Sequence, residues 1–393
     1  MKICITALPL TSFGGAERVV VSDARHFAED GNDVYLVSSE LDPDVLTEYG
    51  ISDAVSCNEY QIDEDNLRPG IIDRVKKIRN ILGEIQPDVV IAHYRERATY
   101  LALSTLPINP VFTSHIHGSV LWFENNTNRV AHNWRSCVQD LIDQVPGHSE
   151  FWHLKDTSFA EKSAAIGAEL LEALALRGCN RVFVNTNQVS SELNCLYGVN
   201  SEVTPPGISP LADSPPKTGV PIDEPYIFSV SRLDSRKRIN LLIRAFSELS
   251  LQNPDTKLVI GGKGEEEYEL KSLASDLGLE DQIVFEGFIQ ESHLSSYYSG
   301  AEIFACPGWM SYGLTPLEAV RTNTKVALSA DAFVKEVIGE YGGVKVLPPD
   351  PESWVKGLDE LLDETESPPS DIVPSAEAHA ETKIEIFKAH QEM

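Results

Sequence analysis

The sequence predicts an α/β fold with two Rossmann-like, doubly wound domains that face a crevice. Apolar, β-branched segments alternate with amphipathic segments of helical spacing, and one stretch rich in Pro and Gly interrupts the alternation before it resumes. Strands that alternate with helices form βαβ units and therefore parallel sheets. The length of 393 residues suits two domains. Because ligands bind outside the carboxyl ends of parallel strands, residues that follow strands are the candidates for a site.

The first series of elements predicts an N-terminal domain over residues 1–205. It begins with the strand KICITAL and the helix AERVVVSDARHFAEDG, which ends at Gly31. The strands DVYLVSS, DVVIAH and PVFTSHIHG follow, with the helices IIDRVKKIRNILGEIQP and RATYLALSTL between them. After an irregular stretch from Ser119 to Ser158 come the helix FAEKSAAIGAELLEALALRG and the strand RVFVNT.

A linker and a second series complete the predicted organisation. Residues 206–225 are rich in Pro and Gly and lack apolar periodicity, so we assign them to a linker. The second alternation runs from YIFSVS to GVKVLP and predicts a C-terminal domain over residues 226–370. Residues 371–393 are an acidic tail with one predicted helix, AEAHAETKIEIFKAHQ, that can pack back on the N-terminal domain.

The chain is strongly acidic, with 60 Asp and Glu against 32 Lys and Arg and a formal net charge of −28. This charge argues against a nucleic-acid partner, and we predict none, since phosphate backbones require a basic surface. The acids are spread along the chain, and dense salt screens their repulsion, because the Debye length falls to ~3 Å at 1 M. We therefore expect a salt-adapted cytoplasm, as in a halophilic archaeon; the alternative is an ordinary acidic protein.

The sequence also predicts the cellular location. No apolar run approaches the ~18 to 20 residues that cross a bilayer, and a first strand explains the N-terminus better than a signal peptide does. The six Cys residues form no C-x-x-C pair, so we expect free thiols in a reducing compartment. We predict a cytoplasmic protein with, at most, peripheral contact to the inner membrane surface.

Two glycine-rich stretches and one basic stretch follow predicted strands. Gly14 and Gly15 open a helix after the first strand, where either a tight turn or the close approach of an anion explains them. The stretch VIGGKGEEEYEL contains Gly262 at another strand exit. The stretch SRLDSRKRIN places four cations within seven residues, which predicts either a phosphate site or ion pairs with nearby acids.

His115 and His117 lie at the end of the strand PVFTSHIHG. If the strand persists, we expect the two side chains to alternate, so that at most one faces the crevice. Neither Cys nor a carboxylate is spaced to complete a metal site with them, and we therefore predict no metal.

Glu318 lies in the stretch YGLTPLEAV, after the buried strand EIFACP. The residues from Thr315 to Glu318 match the S/T-x-x-E capping box with Pro at the first helical position, and so predict a helix that begins at Thr315. The capping box alone explains Glu318 as a helix cap, and it is also compatible with a helix N-terminus that faces a phosphate.

Taken in order, four segments resemble retaining glycosyltransferase family 4, the glycosyl transferases of group 1, which have the GT-B fold. They are GGAERVV, SRLDSRKRINLLIRAF, the run from LVIGGKGEEEYEL to AEIFACP, and YGLTPLEAV. The resemblance covers most of the chain and is strongest from Tyr226 to Pro348. It implies that residues 1–205 form the acceptor side and that residues 226–370 bind a nucleotide sugar.

The resemblance also implies a role for each residue that matches a family motif. Arg232 and Lys237 hold the donor diphosphate and His117 lies close to the donor sugar, so these three are the candidate catalytic residues. Glu318 matches the second Glu of the E-x7-E motif, which binds ribose hydroxyls, and this role replaces the cap as the preferred interpretation. The other donor-binding candidates are Gly14, Gly15, Gly262, Phe288, Ile289, Gly313, Leu314 and Thr315.

Met310 departs from the family pattern, because it occupies the position of the first Glu of E-x7-E. A thioether cannot accept a strong hydrogen bond or balance developing positive charge. Three interpretations stay open: a donor whose sugar needs no carboxylate there, a neighbouring group that substitutes, or a protein that binds a nucleotide sugar without turnover.

The sequence and the resemblance together predict a retaining transferase that moves a hexose-type sugar from a nucleoside-diphosphate sugar and requires no metal or other cofactor. The alternatives are a non-catalytic nucleotide-sugar-binding protein and a GT-B sugar-nucleotide epimerase. Trp122 and Phe123 lie in the aromatic stretch from Ser119 to Ser158, which suits either ordinary packing or a glycan or lipid-linked acceptor.

Overall fold

A computed structural model describes residues 1–7, 9–11, 14–48, 51, 58–61, 71–94, 96–119, 159–208 and 222–391. These residues fall into two compact units. Unit 1 holds the described residues up to 208 together with residues 375–391, and unit 2 holds residues 222–374.

Unit 1 is built on a seven-stranded sheet in which every pairing is parallel. Its strands are β1 (Lys2–Thr6), β2 (Asp33–Ser38), β3 (Asn58–Gln61), β4 (Val89–His93), β5 (Val111–Ile116), β6 (Arg181–Val184) and β7 (Glu202–Val203). Its helices up to residue 208 are α1 (Gly15–Glu29), α2 (Pro43–Glu48), α3 (Ile71–Ile85), α4 (Glu96–Ser104), α5 (Phe159–Arg177) and α6 (Asn187–Tyr197).

Unit 2 is built on a six-stranded sheet, again with every pairing parallel. Its strands are β8 (Tyr226–Val230), β9 (Lys257–Gly261), β10 (Ile283–Gly287), β11 (Ile303–Cys306), β12 (Lys325–Ser329) and β13 (Val344–Leu347). Its helices are α7 (Ile239–Leu249), α8 (Glu267–Asp276), α9 (Glu291–Gly300), α10 (Leu314–Arg321), α11 (Lys335–Ile338) and α12 (Pro351–Asp363).

Both sheets reverse their strand order at one point. The order is β3-β2-β1-β4-β5-β6-β7 in unit 1 and β10-β9-β8-β11-β12-β13 in unit 2. In doubly wound sheets a ligand binds where the order reverses, at the carboxyl ends of the strands. Ligand-binding residues are therefore expected after β1 and β4 in unit 1, and after β8 and β11 in unit 2.

The strands on either side of each reversal are buried, as expected for parallel strands covered on both faces. All five residues of β4 and all four of β11 are buried. In unit 2, α7 presents a continuous apolar face, with Leu242, Ile243 and Phe246 fully buried against the sheet. This packing gives the loop between β8 and α7 a rigid base.

The last helix, α13 (Ala376–Gln391), belongs to unit 1. Phe387 contacts Phe27 of α1 and Phe183 of β6, with ring centroids 6.1 Å and 6.3 Å away. Ile208 and Ser375 form a parallel bridge that brings the chain back to this unit. Burying a Phe side chain contributes about 1.5–3 kcal/mol, so α13 is an integral part of the unit 1 core.

Several elements lie where the sequence analysis assigned none, namely α2, β3, α6, β7 and α12. Two of the helices carry end signals. Thr186 caps α6 by accepting from the Val189 N–H, and Asp350 caps α12 by accepting from the Ser353 N–H.

The expectation of free thiols is wrong at Cys195, which is disulfide-bonded, whereas Cys4, Cys179 and Cys306 are free.

Candidate active site

The four cations of the β8 exit have different partners. Asp234 caps a short 3-10 helix at residues 235–237 by accepting from the Arg236 N–H at 3.1 Å. The same carboxylate forms an ion pair with Arg236, with Nη2 and Oδ2 3.0 Å apart. The Arg236 side chain therefore stabilises the loop after β8 by its ion pair with Asp234.

Arg238 is also structural. Its guanidinium forms a bidentate ion pair with Asp331, at 3.0 Å and 2.7 Å, and both side chains are buried. Its backbone has a φ of 47°, a left-handed conformation that costs a non-glycine residue about 1–3 kcal/mol. The buried ion pair holds Arg238 in this conformation, which lets the chain turn from the 3-10 helix into α7.

The two remaining cations are Arg232 and Lys237. The Arg232 side chain is 77% exposed and lies 4.0 Å from Asp234, a distance and an exposure at which an ion pair contributes little. Among the described residues, no carboxylate lies within ion-pair distance of the Lys237 ammonium, and burial lowers the pKa of Lys237. Of these four cations, the two that the resemblance assigns to the diphosphate are therefore the two that lack a close ion pair within the described part of the chain.

Close backbone contacts join the loops that follow β8, β9 and β11. Gly262, with a φ of 108°, lies so close to Ser231 that a Cβ would collide with the Ser231 carbonyl oxygen. A Cβ on Gly308 would lie 2.7 Å from the Lys237 Cα, and the Trp309 N–H donates to the Arg236 carbonyl at 2.9 Å. Gly262 is therefore required for the close approach to Ser231, and Gly308 for the close approach to Lys237.

Met310 lies in the loop after β11 and is buried, with 7% of its surface exposed. Its backbone pairs with Ala332, and its carbonyl accepts from the Phe333 N–H at 2.9 Å. The sulfur lies 3.9 Å from Cys306 Sγ, and a Cβ on Gly313 would collide with it. Met310 therefore packs beneath the start of α10, in contacts that suit a thioether and would desolvate a carboxylate.

Glu318 is not a helix cap, contrary to the capping-box motif. Helix α10 begins at Leu314, one residue before Thr315, and its N-cap is Gly313, which makes no side-chain cap bond. Glu318 lies one turn further along and is completely buried. Its Oε2 accepts a hydrogen bond from the Tyr298 hydroxyl at 2.7 Å, so a side chain of α9 fixes the direction of the carboxylate.

The other donor-binding candidates of unit 2 lie at strand exits. Gly313, Leu314 and Thr315 are half-buried at the N-terminus of α10, where the first amides of a helix have no partner within it. Phe288 follows β10 and is 59% exposed. Ile289 packs against Gly261, where a Cβ would lie 2.7 Å from its Cδ1.

In unit 1 the histidines cluster, and the expected alternation of His115 and His117 is wrong. Residues two apart on a strand share a face, and the rings of His115 and His117 are 4.2 Å apart. His93, at the end of β4, joins them, with its Nδ1 2.6 Å from His117 Nε2. Gly14 lies at the adjacent exit of β1 as the N-cap of α1, which begins at Gly15.

The histidine cluster brings together two sets of potential metal ligands that the sequence analysis missed. These sets are His93, His115 and His117, and Asp23, His115 and His379. Both nitrogens of His115 are already hydrogen-bonded, one to Asn185 and one to the Lys383 ammonium. An ammonium at this position repels a cation, so the geometry does not fit a metal site.

A cavity with a volume of about 310 Å³ lies elsewhere, near the amino end of β6. Its lining includes Arg181 and Glu202, which form an ion pair at 3.2 Å. Because ligands of doubly wound sheets bind at the opposite ends of the strands, we assign it no function. Trp122 and Phe123 lie outside the described residues.

The fold and these strand-exit sites define a two-domain, Rossmann-like protein of the GT-B class. Two family models match the chain: Glycosyltransferase Family 4 over residues 13–210, just over half of it, and Glycosyl transferases group 1 over residues 212–376. The chain therefore belongs to this glycosyltransferase family.

Individual proteins are similar over parts of the chain. An uncharacterized glycosyltransferase of Methanocaldococcus jannaschii is 35% identical over 146 residues, which cover 37% of each chain. A D-inositol 3-phosphate glycosyltransferase of Kineococcus radiotolerans is 28% identical over 243 residues, covering 54% of this chain and 56% of that protein. The chain thus spans between a third and three-fifths of the length of these two relatives.

Solved structures match over the whole length. HepE of Anabaena in complex with UDP-glucose has a TM-score of 0.64 and 16% identity, and the match covers 100% of this chain and 98% of that one. At this identity the likeness establishes the fold alone. No helix among the described residues is long and apolar enough to cross a membrane.

Proposed function

We propose that the protein is a retaining glycosyltransferase that moves a hexose-type sugar from a nucleoside-diphosphate sugar to a glycan or lipid-linked acceptor, without a metal. One observation carries the proposal. Of the four cations after β8, ion pairs with Asp234 and Asp331 engage Arg236 and Arg238, whereas Arg232 and Lys237 remain available for a diphosphate.

Unit 2 offers complementary groups for the rest of the donor. Glu318 is an acceptor for ribose hydroxyls, held in direction by the Tyr298 hydroxyl. The first amides of α10 and the positive end of its dipole suit an anion. Phe288 and Ile289, after β10, would contact the base.

In the proposed reaction, the bond between the sugar C1 and the diphosphate oxygen breaks, and its electron pair leaves with the diphosphate. Arg232 and Lys237 stabilise the charge that develops on this leaving group. The acceptor oxygen bonds to C1 from the same face and passes its proton to the departing phosphate oxygen. No nucleophile of the protein takes part, and His117 is proposed to lie beside the donor sugar.

Met310 restricts the donor sugar. Its buried, apolar side chain cannot accept a strong hydrogen bond from a sugar hydroxyl in place of the family's first Glu. We propose that the donor sugar is held by other groups at this position. The competing function is that of a protein that binds a nucleotide sugar without turnover.

A screen separates these functions. UDP- and GDP-sugars are compared for thermal stabilisation of the full chain, and each stabilising donor is then assayed for release of the nucleoside diphosphate with and without acceptors. The transferase requires release that an acceptor accelerates. Stabilisation without release would instead support the binding protein, and an isomerised sugar nucleotide formed without any acceptor would support an epimerase.

An exposed aliphatic row on unit 1 supports a lipid-linked acceptor. Ile166, Leu170 and Leu174 occupy one face of α5 at intervals of four residues and are 48%, 62% and 55% exposed. We expect Leu170→Gln to weaken transfer to a polyprenyl-phosphate-linked glycan several-fold without changing donor hydrolysis, because the row would contact the lipid.

The matched control for the aliphatic row is Leu251→Gln, which removes an 83% exposed leucine from unit 2. This variant should transfer to the lipid-linked glycan like the wild type. Equal transfer by Leu170→Gln and wild type would assign the row to another role.

A further inference from the structure

Unit 1 contains a buried ion pair outside the proposed donor site. Lys383, in the middle of α13, is completely buried, and its ammonium donates to Asp23 of α1, which is also buried. Burying two charges is expensive unless their remaining hydrogen-bonding capacity is used. Here the second donation of the ammonium goes to His115 Nδ1 at 2.8 Å.

This donation fixes the direction of every hydrogen bond that follows. Because an ammonium only donates, His115 Nδ1 must accept, so its proton lies on Nε2. His115 Nε2 then donates to Asn185 Oδ1 at 2.8 Å. The amide group of Asn185 in turn donates to the His117 carbonyl at 3.0 Å. A continuous series of hydrogen bonds thus connects α13 to the backbone of His117.

His117 lies at the end of this series of hydrogen bonds, and one nitrogen of its ring is unpaired among the described residues. A hydrogen bond of 2.6 Å joins its Nε2 to His93 Nδ1, and its own Nδ1 has no hydrogen-bond partner among the residues that the structure describes. Burial and the Lys383 charge lower the pKa of His117 to about 3. His117 is therefore a neutral, oriented imidazole with one nitrogen available.

We propose that Asp23 and Lys383 are positioning residues of the transferase, which orient His117 through His115 and Asn185. The proposal rests on the proposed function, because it assumes that His117 lies beside the donor sugar. It gives Lys383 a positioning role in addition to the packing role of the apolar side chains of α13. The competing explanation is that the Asp23–Lys383 pair only holds α13 to α1.

The first test removes the charges and keeps the packing. In the double variant Asp23→Leu/Lys383→Met, apolar side chains of similar volume replace the ion pair, a change that is often neutral or stabilising. His115 Nδ1 then loses the donor that fixes its tautomer, so the donor and acceptor of each later hydrogen bond are no longer fixed. We expect a melting temperature close to that of the wild type, a donor KM within about twofold, and a kcat about 10- to 100-fold lower.

A second variant removes a different hydrogen bond of the same series. His115→Phe leaves the Asp23–Lys383 pair in place but removes the donor to Asn185, so it should show the same selective loss of kcat. Phe387→Leu is the matched control, because it weakens the packing of α13 against Phe27 and Phe183 without touching a polar group. It should lower the melting temperature and leave the kcat of the folded protein unchanged.

Turnover is measured with UDP-glucose or GDP-mannose, whichever the thermal screen identifies, and histidine tautomers are measured by ¹⁵N NMR of the full chain. A wild-type kcat in the double variant or in His115→Phe, or losses that only follow the unfolded fraction, would overturn the proposal. A His115 proton on Nδ1 in the wild type would overturn it even without an activity assay. Absence of turnover with every nucleotide sugar, beside an intact His115 tautomer, would instead remove the proposed function.

Discussion

At the scale of single residues, the basic stretch after β8 shows how four similar side chains acquire different tasks. Arg236 and Arg238 are each satisfied by a carboxylate, and one of these pairs is buried. Arg232 and Lys237 are not satisfied in this way. The Arg238 guanidinium has its charge balanced by Asp331, whereas the half-buried Lys237 ammonium, with no carboxylate this close among the described residues, favours the binding of an anion.

We expect Lys237→Ala and Arg232→Ala each to weaken binding of a nucleoside diphosphate by about 10-fold or more, because each loses a charge-assisted hydrogen bond. Affinity for the free nucleoside should hardly change. Isothermal titration with UDP and uridine, or with GDP and guanosine, measures both. Arg244→Ala is the control, since it removes an exposed arginine of α7 and leaves the loop after β8 unchanged. Parallel losses for nucleoside and diphosphate would indicate misfolding instead.

The lowered pKa of Lys237 adds a pH dependence to this binding. The protonated lysine is the form that binds the diphosphate, and burial shifts its deprotonation to a lower pH than usual. Affinity for the diphosphate should therefore fall as the pH rises toward that lowered pKa. Lys237→Arg, whose charge persists, should keep its affinity over the same range. A pH-independent affinity in the wild type would place the phosphates elsewhere.

Glu318 and Tyr298 form the second residue-scale unit. Glu318→Gln keeps an oxygen for the Tyr298 hydroxyl but loses the charge, so donor affinity should fall about 10- to 150-fold, corresponding to ~1.5–3 kcal/mol. Tyr298→Phe leaves the charge and removes only the hydrogen bond from the Tyr298 hydroxyl, and should cause a smaller loss. Titration of the variants with the donor, beside their melting temperatures, is the measurement. Unchanged affinity in Glu318→Gln would show that the carboxylate is only structural.

At the scale of elements, the local sequence pattern predicts strands and helices well but not their long-range partners. The strand exits and the glycine turn before α1 follow from alternation alone. The acid that satisfies Arg238 lies 93 residues away, and Lys383 lies 268 residues from His115. No periodicity encodes such pairs. The capping box predicted at Thr315 is wrong for a related reason. The helix has Gly313 as its N-cap, and the Glu318 carboxylate accepts a hydrogen bond from Tyr298, 20 residues away.

The histidine cluster between β4, β5 and α13 predicts sensitivity of unit 1 to acid. Burial, with the Lys383 charge, lowers the pKa of His93, His115, His117 and His379 below the usual value of about 6.5. The unfolded chain therefore binds protons below pH ~6.5 that the folded chain does not. Stability should be complete above this pH and fall below it, by up to about 1.4 kcal/mol per pH unit for each histidine.

Urea unfolding of the full chain between pH 8 and 5 measures this slope. Asp23, whose pKa is raised by burial, acts in the opposite direction once the pH approaches that raised pKa, whereas Lys383, whose pKa burial lowers, acts in the same direction as the histidines. His115→Phe removes one of the titrating groups and should reduce the slope. A free energy of unfolding that stays constant down to pH 5 would show that the cluster is protonated or exposed in solution.

At the scale of the whole molecule, the charge remains the feature that the fold does not explain. The net charge is −28, and several of the structure's ion pairs are local contacts on helices, such as Lys271 with Glu267. Exposed pairs of this kind contribute about 0.3–0.5 kcal/mol each. We propose that dense salt screens the repulsion among the remaining acids, as in a salt-adapted protein.

This proposal predicts that the fold loosens when salt is removed. Acids separated by about 10 Å repel each other weakly at 1 M salt, where the Debye length is ~3 Å, and strongly at 0.01 M, where it is ~30 Å. The melting temperature should therefore rise steadily from dilute buffer to molar KCl and level off once the charges are screened. A comparison of KCl with sucrose separates screening from general stabilisation by cosolutes, because sucrose strengthens burial without screening charge. A sharp thermal transition that is the same in dilute buffer and in molar KCl would contradict the halophilic interpretation and leave the transferase proposal untouched.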